Sequence, residues 1–167
     1  MHFVWFVEPA GMISQTSEYA LRAAVFLAIR ADDTPASAQE ISEAVRVPVG
    51  FLQKILRMLA RQGILTARRG ANGGFALAKV PSAISVLDVL RASETEIPRI
   101  TRCPLGIKGH TSLCSLHRLL DDELARAERT FASTTIEDLL DGSGGVRPLC
   151  DAKGRLPISV SIDRGEK

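Results

Sequence analysis

The chain has 167 residues, 46% of them apolar and 24% charged, with a formal net charge of +2. That length fits one domain, or one domain with an appendage, and the apolar share is ample for a packed core, which excludes wholesale disorder. Near-neutral charge means that any affinity for nucleic acid has to come from a local patch.

Residues 1–11, MHFVWFVEPAG, are apolar but too short, and lack the basic start, for a signal peptide. Met12 opens a more conventional beginning, so residues 1–11 read as an extension ahead of the domain. No run is long enough to span a bilayer. Residues 16–31 form an apolar helix with Tyr19, Leu21, Val25, Phe26, Leu27 and Ile29, alanine-rich on nearly all sides and therefore mostly buried. Asp32-Asp33-Thr34-Pro35 breaks it. Ser37 and Glu40 have the spacing of a capping box, which starts a short helix, AQEISEAV.

After the turn Arg46-Val47-Pro48, a further helix runs from about Val49 to about Gln62. Leu52, Ile55, Leu56 and Leu59 make its core face, while Lys54, Arg57 and Arg61 share another side. Gly63 stops it. Two helices joined by a tight turn, the second amphipathic and basic, read as a helix-turn-helix. Ile64–Ala67 is strand-like, Arg69–Gly74 is a glycine-rich stretch, Phe75–Ala78 closes a hairpin, or wing, and the hairpin turn carries Arg68 and Arg69. Pro81-Ser82 leads into a helix containing Ile84, Val86, Leu87, Val89 and Leu90.

Residues 93–113 read as loop, about as long as a compact domain allows before function has to explain it. A long helix follows from about Ser115 to Phe131. Its apolar residues Leu116, Leu120, Leu124, Ala127 and Phe131 are spaced 4, 4, 3, 4, a coiled-coil-like seam between charged flanks. Such a stripe wants a partner helix, best supplied by a second copy. Residues 134–140 form a last short helix, and from Gly142 onward the composition is tail-like. The fold class is therefore mainly α with a small β-hairpin. A winged helix-turn-helix domain takes 12–92 and a loop 93–114. A dimerisation helix and short terminal helix take 115–141, and a tail 142–167.

The segment from Arg46 to Leu87 carries seven basic residues (Arg46, Lys54, Arg57, Arg61, Arg68, Arg69 and Lys79) and not one Asp or Glu. A basic face alone is most simply a solvated face. Helix-turn-helix, hairpin and absence of acids together favour double-stranded DNA. Gln53, near the start of the second helix, is suited to a bidentate bond with adenine, and Arg69 at the wing to a narrow minor groove. The candidate contact set is Ser37, Pro48, Gly50, Phe51, Gln53, Lys54, Arg57, Arg61, Arg68, Arg69 and Gly73.

The blocks SEYALRAAVFLA, AQEISEAVRVPVGFLQKILRMLARQGIL and ARRGANGGFALAK resemble the Rrf2 family of bacterial winged-helix regulators, over about Met12 to Leu140. That family includes the iron–sulfur cluster regulator IscR, the nitric-oxide sensor NsrR and the cysteine-metabolism repressor CymR. The resemblance implies a homodimer on operator DNA, with recognition helices in adjacent major grooves and wings in minor grooves, while the low and odd cysteine count fits a reducing cytoplasm. It also implies base contacts at the positions of Gln53 and Arg69. Gln53 stands where some members have Glu.

The three cysteines, Cys103, Cys114 and Cys150, are too few and too odd in number for a secreted disulfide framework. Cys150, in the tail, reads as a free thiol. Cys103 and Cys114 lie in the loop, in the pattern C-x10-C-x2-H that ends at His117. Cys114 and His117 share a face at the start of a helix, where a thiolate gains from the helix N-terminus. Two Cys and a His suit a soft metal or an iron–sulfur cluster. Cluster-binding members of the family place three cysteines here. This chain lacks the middle one and has Lys108, Gly109 and His110 in its region, so three-cysteine ligation in this loop is excluded.

The resemblance further implies a carboxylate from the first helix of the partner subunit, at the position of Glu18. A mixed site of Cys103, Cys114, His117 (alternatively His110) and Glu18 would hold a [2Fe–2S] centre. A reversible disulfide, a zinc ion in the same ligands, and a cofactor-free DNA-binding protein remain open beside it. A thiol enzyme built on Cys114 and His117 is disfavoured: nothing resembles an oxyanion hole, and the basic surface would be left without a use.

Overall fold

A computed structural model describes residues 13–30, 34–70, 73–104, 112–141 and 148–149. Residues 1–12, His110, Cys150 and most of the tail lie outside them, as do wing residues 71–72, so the expectations placed on those stretches are not addressed.

Helix α1, Gln15–Ile29, is the axis of the fold. Ala20, Ala23 and Ala24 are fully buried along it, and their small side chains let α2 (Ala38–Val45), α3 (Val49–Arg61), α4 (Val86–Ala92) and α6 (Ile136–Leu140) all pack against one helix. From α3 the fully or nearly fully buried Leu52, Ile55, Leu56 and Leu59 enter the same core, each leucine contributing roughly 1.5–3 kcal/mol by burial. The capping box at Ser37 is present. The Ser37 hydroxyl accepts from the Glu40 N–H at 3.2 Å, and the Ser37 N–H donates to Glu40 Oε2 at 2.7 Å.

The hairpin pairs β1, Leu65–Arg68, with β2, Gly74–Leu77, antiparallel, in a register that sets Leu65 opposite Leu77 and Arg68 opposite Gly74. The strands sit one residue away from where apolar alternation puts them. Ile64 is still tied to α3 through its N–H bond to the Leu59 carbonyl (3.0 Å), so β1 begins at Leu65 and Arg68 belongs to the strand rather than to the turn. A bridge from Ala36 to Phe75, with N–H···O bonds of 2.9 and 2.8 Å in the two directions, moors the wing to the start of α2. Gly74 permits this approach, since a Cβ there would lie 2.4 Å from the Ala36 carbonyl oxygen.

Pro81–Ala83 forms a single 3₁₀ turn and Ile84 is extended, so the helix expected to include Ile84 begins only at Val86, where Ser85 and Asp88 make a second capping box. The long helix α5, Ser115–Ser133, is followed by a capping box at Thr135 and Asp138 that starts α6. A bridge between Ser85 and Thr135, with Ile136 fully buried, returns the chain to the body built on α1. No helix among the described residues is long and apolar enough to cross a membrane.

Candidate functional site

All seven cations of the acid-free segment are exposed. None forms an ion pair with a described carboxylate. Lys54, Arg57 and Arg61 stand on the face of α3 opposite Leu52, Ile55, Leu56 and Leu59. Pro48, Gly50 and Phe51 are exposed at its first turn, and Gln53 is half-buried on its flank. Phe51, 40% exposed, is braced edge-to-face by Tyr19 of α1 at a centroid distance of 6.0 Å. On the wing, Arg68 and Arg69 face solvent at the end of β1. Gly73 is required by the turn itself: its N–H donates to the Gly70 carbonyl at 2.9 Å, and a Cβ would come within 2.4 Å of the Arg68 carbonyl oxygen. The Ser37 hydroxyl is engaged in its cap. Its bond to Glu40, strongest through the Ser37 N–H, holds the Glu40 carboxyl below its ordinary range.

Helix starts differ in an informative way. Helices α1, α2, α4 and α6 are capped by the hydroxyls of Ser14, Ser37, Ser85 and Thr135. Helix α3 starts at Pro48 and α5 at Cys114, neither with a side-chain cap nor with an acid in the first turn. These two helices carry the two candidate sites, and their first N–H groups are left to other acceptors.

At the start of α5 the three expected soft donors come together. His117 Nδ1 lies 3.2 Å from Cys114 Sγ and 3.8 Å from Cys103 Sγ, and both thiols are free and half-buried. Sulfur and nitrogen ligands on one tetrahedral ion are about 3.5 Å apart, so the two distances bracket that value. The trio is still not a finished cage: among the described residues, no group of three or more His, Cys, Asp and Glu side chains is arranged to hold a metal ion. Glu18, on α1, accepts from Arg22 Nε at 2.6 Å one helical turn away.

The segment that brings Cys103 to α5 is fixed by residues that spacing did not single out. Arg99 meets Asp121 of α5 with both prongs, Nε to Oδ1 at 2.8 Å and Nη2 to Oδ2 at 2.7 Å, and the Ile100 N–H donates to the same Oδ1 at 2.8 Å. The Arg99 bond, then the Ile100 N–H, hold the Asp121 carboxyl down to about 2. Arg91 of α4 binds Glu128 of α5 at 2.9 Å. Only charge signs could have hinted at these pairs, which lie 22 and 37 positions apart. On the outer face of α5, Leu116, Leu119 and Leu120 are 59%, 58% and 46% exposed, and Leu119 adds to the apolar stripe.

The family model described as Rrf2, iron-dependent transcriptional regulator, matches residues 13–142. The chain belongs to the Rrf2 family. The HTH-type transcriptional regulator NsrR of Bacillus licheniformis is 25% identical over 140 residues, 82% of this chain and 97% of that protein. Among solved structures, CymR, the global cysteine regulator of B. subtilis, superposes with a TM-score of 0.67 at 25% identity, covering 76% of this chain and 94% of its own. IscR of T. potens superposes with a TM-score of 0.60 at 23% identity, covering 79% and 88%, and shows the shared fold alone. The expected class, mainly helical with a two-stranded wing, is the one observed, and the relatives are transcription regulators rather than enzymes.

Proposed function

We propose that this Rrf2 regulator is a cytoplasmic homodimer that binds operator DNA, most simply as a repressor, and that its affinity for DNA is set at Cys103, Cys114 and His117. The observation that carries the reading is the convergence of those three donors on the first turn of α5, beside an exposed cationic head. In this reading Lys54, Arg57 and Arg61 meet phosphates and base edges from α3, Gln53 reads a base, and Arg69 enters the minor groove. Leu116, Leu119 and Leu120, left to solvent in one copy, are covered by α5 of a second.

The donor types suit an iron–sulfur centre: both sulfurs lie within 3.8 Å of one imidazole nitrogen, and Glu18 of the partner subunit would supply an oxygen once it gave up its bond to Arg22. A [2Fe–2S] group held there would supply the redox and nitric-oxide chemistry. The protein's own part is to hold the ligands: Asp121 anchors the segment leading to Cys103, and the first turn of α5 fixes Cys114 against His117. The same two free thiols support the second reading, a cofactor-free switch in which Cys103 and Cys114 lose two protons and two electrons to an oxidant and form a disulfide.

Anaerobic purification and reconstitution, followed by an absorption spectrum with iron and acid-labile sulfide assays, separates the two. Coloured protein, with the colour lost in Cys103→Ala, supports the cluster. Colourless protein after reconstitution removes the cluster and leaves the disulfide. Operator affinity unchanged by oxidant, nitric oxide or chelator removes both.

A further inference from the structure

The residue that joins α2 to the turn before α3 is Arg46, and its backbone is in the left-handed region at φ 56°, ψ 47°. It is one of three described non-glycine residues with positive φ, with Glu94 and Leu149, and the only one of them on the basic head. A side chain with a Cβ pays roughly 1–2 kcal/mol there, a cost that glycine escapes. Nothing in the turn requires arginine. The Arg46 N–H and the Val47 N–H both donate to the Ser42 carbonyl, the latter at 3.2 Å, and the Ser42 hydroxyl donates to the Val47 carbonyl at 2.6 Å. Every one of these bonds would be made equally well with glycine at position 46.

The guanidinium itself is exposed and makes no hydrogen bond or ion pair with a described residue. It lies two residues before Pro48, where α3 starts without a side-chain cap. Strain that the turn does not need, in an exposed residue whose side chain meets no partner among the described residues, points to a use outside the fold. We propose that Arg46 is a phosphate-binding residue of the DNA surface, kept in a strained backbone conformation for its charge. It grips the strand flanking the groove that α3 enters, and it fixes position without reading sequence. The proposal rests on the DNA-binding reading and adds to it a residue on α2's exit rather than on the recognition helix or the wing.

Arg46→Gly, Arg46→Asn and Arg46→Lys in the full chain test this. The duplex is one recovered with the wild-type protein from a random pool, and its affinity is followed by anisotropy over a series of salt concentrations. Glycine and asparagine both tolerate the left-handed region without the charge. The expected result is a urea midpoint for Arg46→Gly no lower than that of the wild type, together with an affinity roughly tenfold weaker at low salt. The slope of log K against log salt should be shallower by about one per Arg46 in contact. Arg46→Asn should lose the same slope and Arg46→Lys should keep it. A wild type that binds, with an unchanged slope in both neutral variants, overturns the role of Arg46 and leaves the DNA-binding function standing. A wild type that retains no duplex from the pool overturns that function, and this proposal with it.

Discussion

Around α3, apolar side chains are buried and charge faces solvent: Leu52, Ile55, Leu56 and Leu59 are in the core, and the seven cations from Arg46 to Lys79 have no acid among them. Around the start of α5 the arrangement is inverted. Leu116, Leu119 and Leu120 face outward, while the segment that carries Cys103 is held by Arg99 and Asp121 at the surface. The head is thus held by apolar packing, which is indifferent to protons and thiol chemistry. The cysteine segment is held by an ion pair and by donors that respond to both. A regulator needs that division, because the element that changes has to be the less stable of the two.

The largest effect should come from the head's core. Leu56→Ala removes a fully buried side chain and should cost about 2–5 kcal/mol, read from urea unfolding. By contrast, Asp121→Asn should leave the global midpoint close to that of the wild type, and a comparable loss in both variants would break the contrast between the regions. Next in size, Arg69→Ala should weaken operator binding by about 1–3 kcal/mol with stability unchanged, measured by anisotropy and urea together. Unchanged binding would remove the wing from the DNA surface.

The smallest effect is local and depends on pH. The Asp121 carboxyl is held at about 2, below its ordinary 3.8, so its ionised form favours the folded arrangement. That contribution is complete above pH 3.8 and is lost as pH falls towards 2. Hydrogen exchange at the Ile100 amide, which donates to Asp121, should lose protection in that window while the Leu56 amide keeps its own. Protection at Ile100 that persists to pH 2 would mean that the clamp is not what holds the segment.

How much of this the sequence discloses depends on the range of the interaction. The Ser37–Glu40 box, the two faces of α3 and the hairpin are local patterns, and all are present in the fold. The one-residue shift of both strands comes from Ile64, which looks like a strand residue but closes a backbone bond onto α3. The bridges Ala36–Phe75 and Ser85–Thr135 join single residues far apart in sequence, and no periodicity announces them. At the cysteine site, spacing put Cys114 and His117 on one helix face. That Cys103, 14 positions before His117, comes to the same imidazole depends on the Arg99 clamp, which is a tertiary fact. Leu119 fell outside the expected 4, 4, 3, 4 stripe, yet it is as exposed as Leu116.

The central claim is that one surface binds DNA and a separate site decides when. Its most direct measurement is operator affinity by anisotropy for anaerobically prepared wild type, Cys114→Ala and Arg69→Ala, each before and after exposure to an oxidant or nitric oxide. The account predicts that wild-type affinity changes with the treatment and that Cys114→Ala is insensitive to it. Arg69→Ala should be weaker in both states while keeping the response. A wild type with the same affinity in both states, or a Cys114→Ala variant that responds as fully as the wild type, would contradict it.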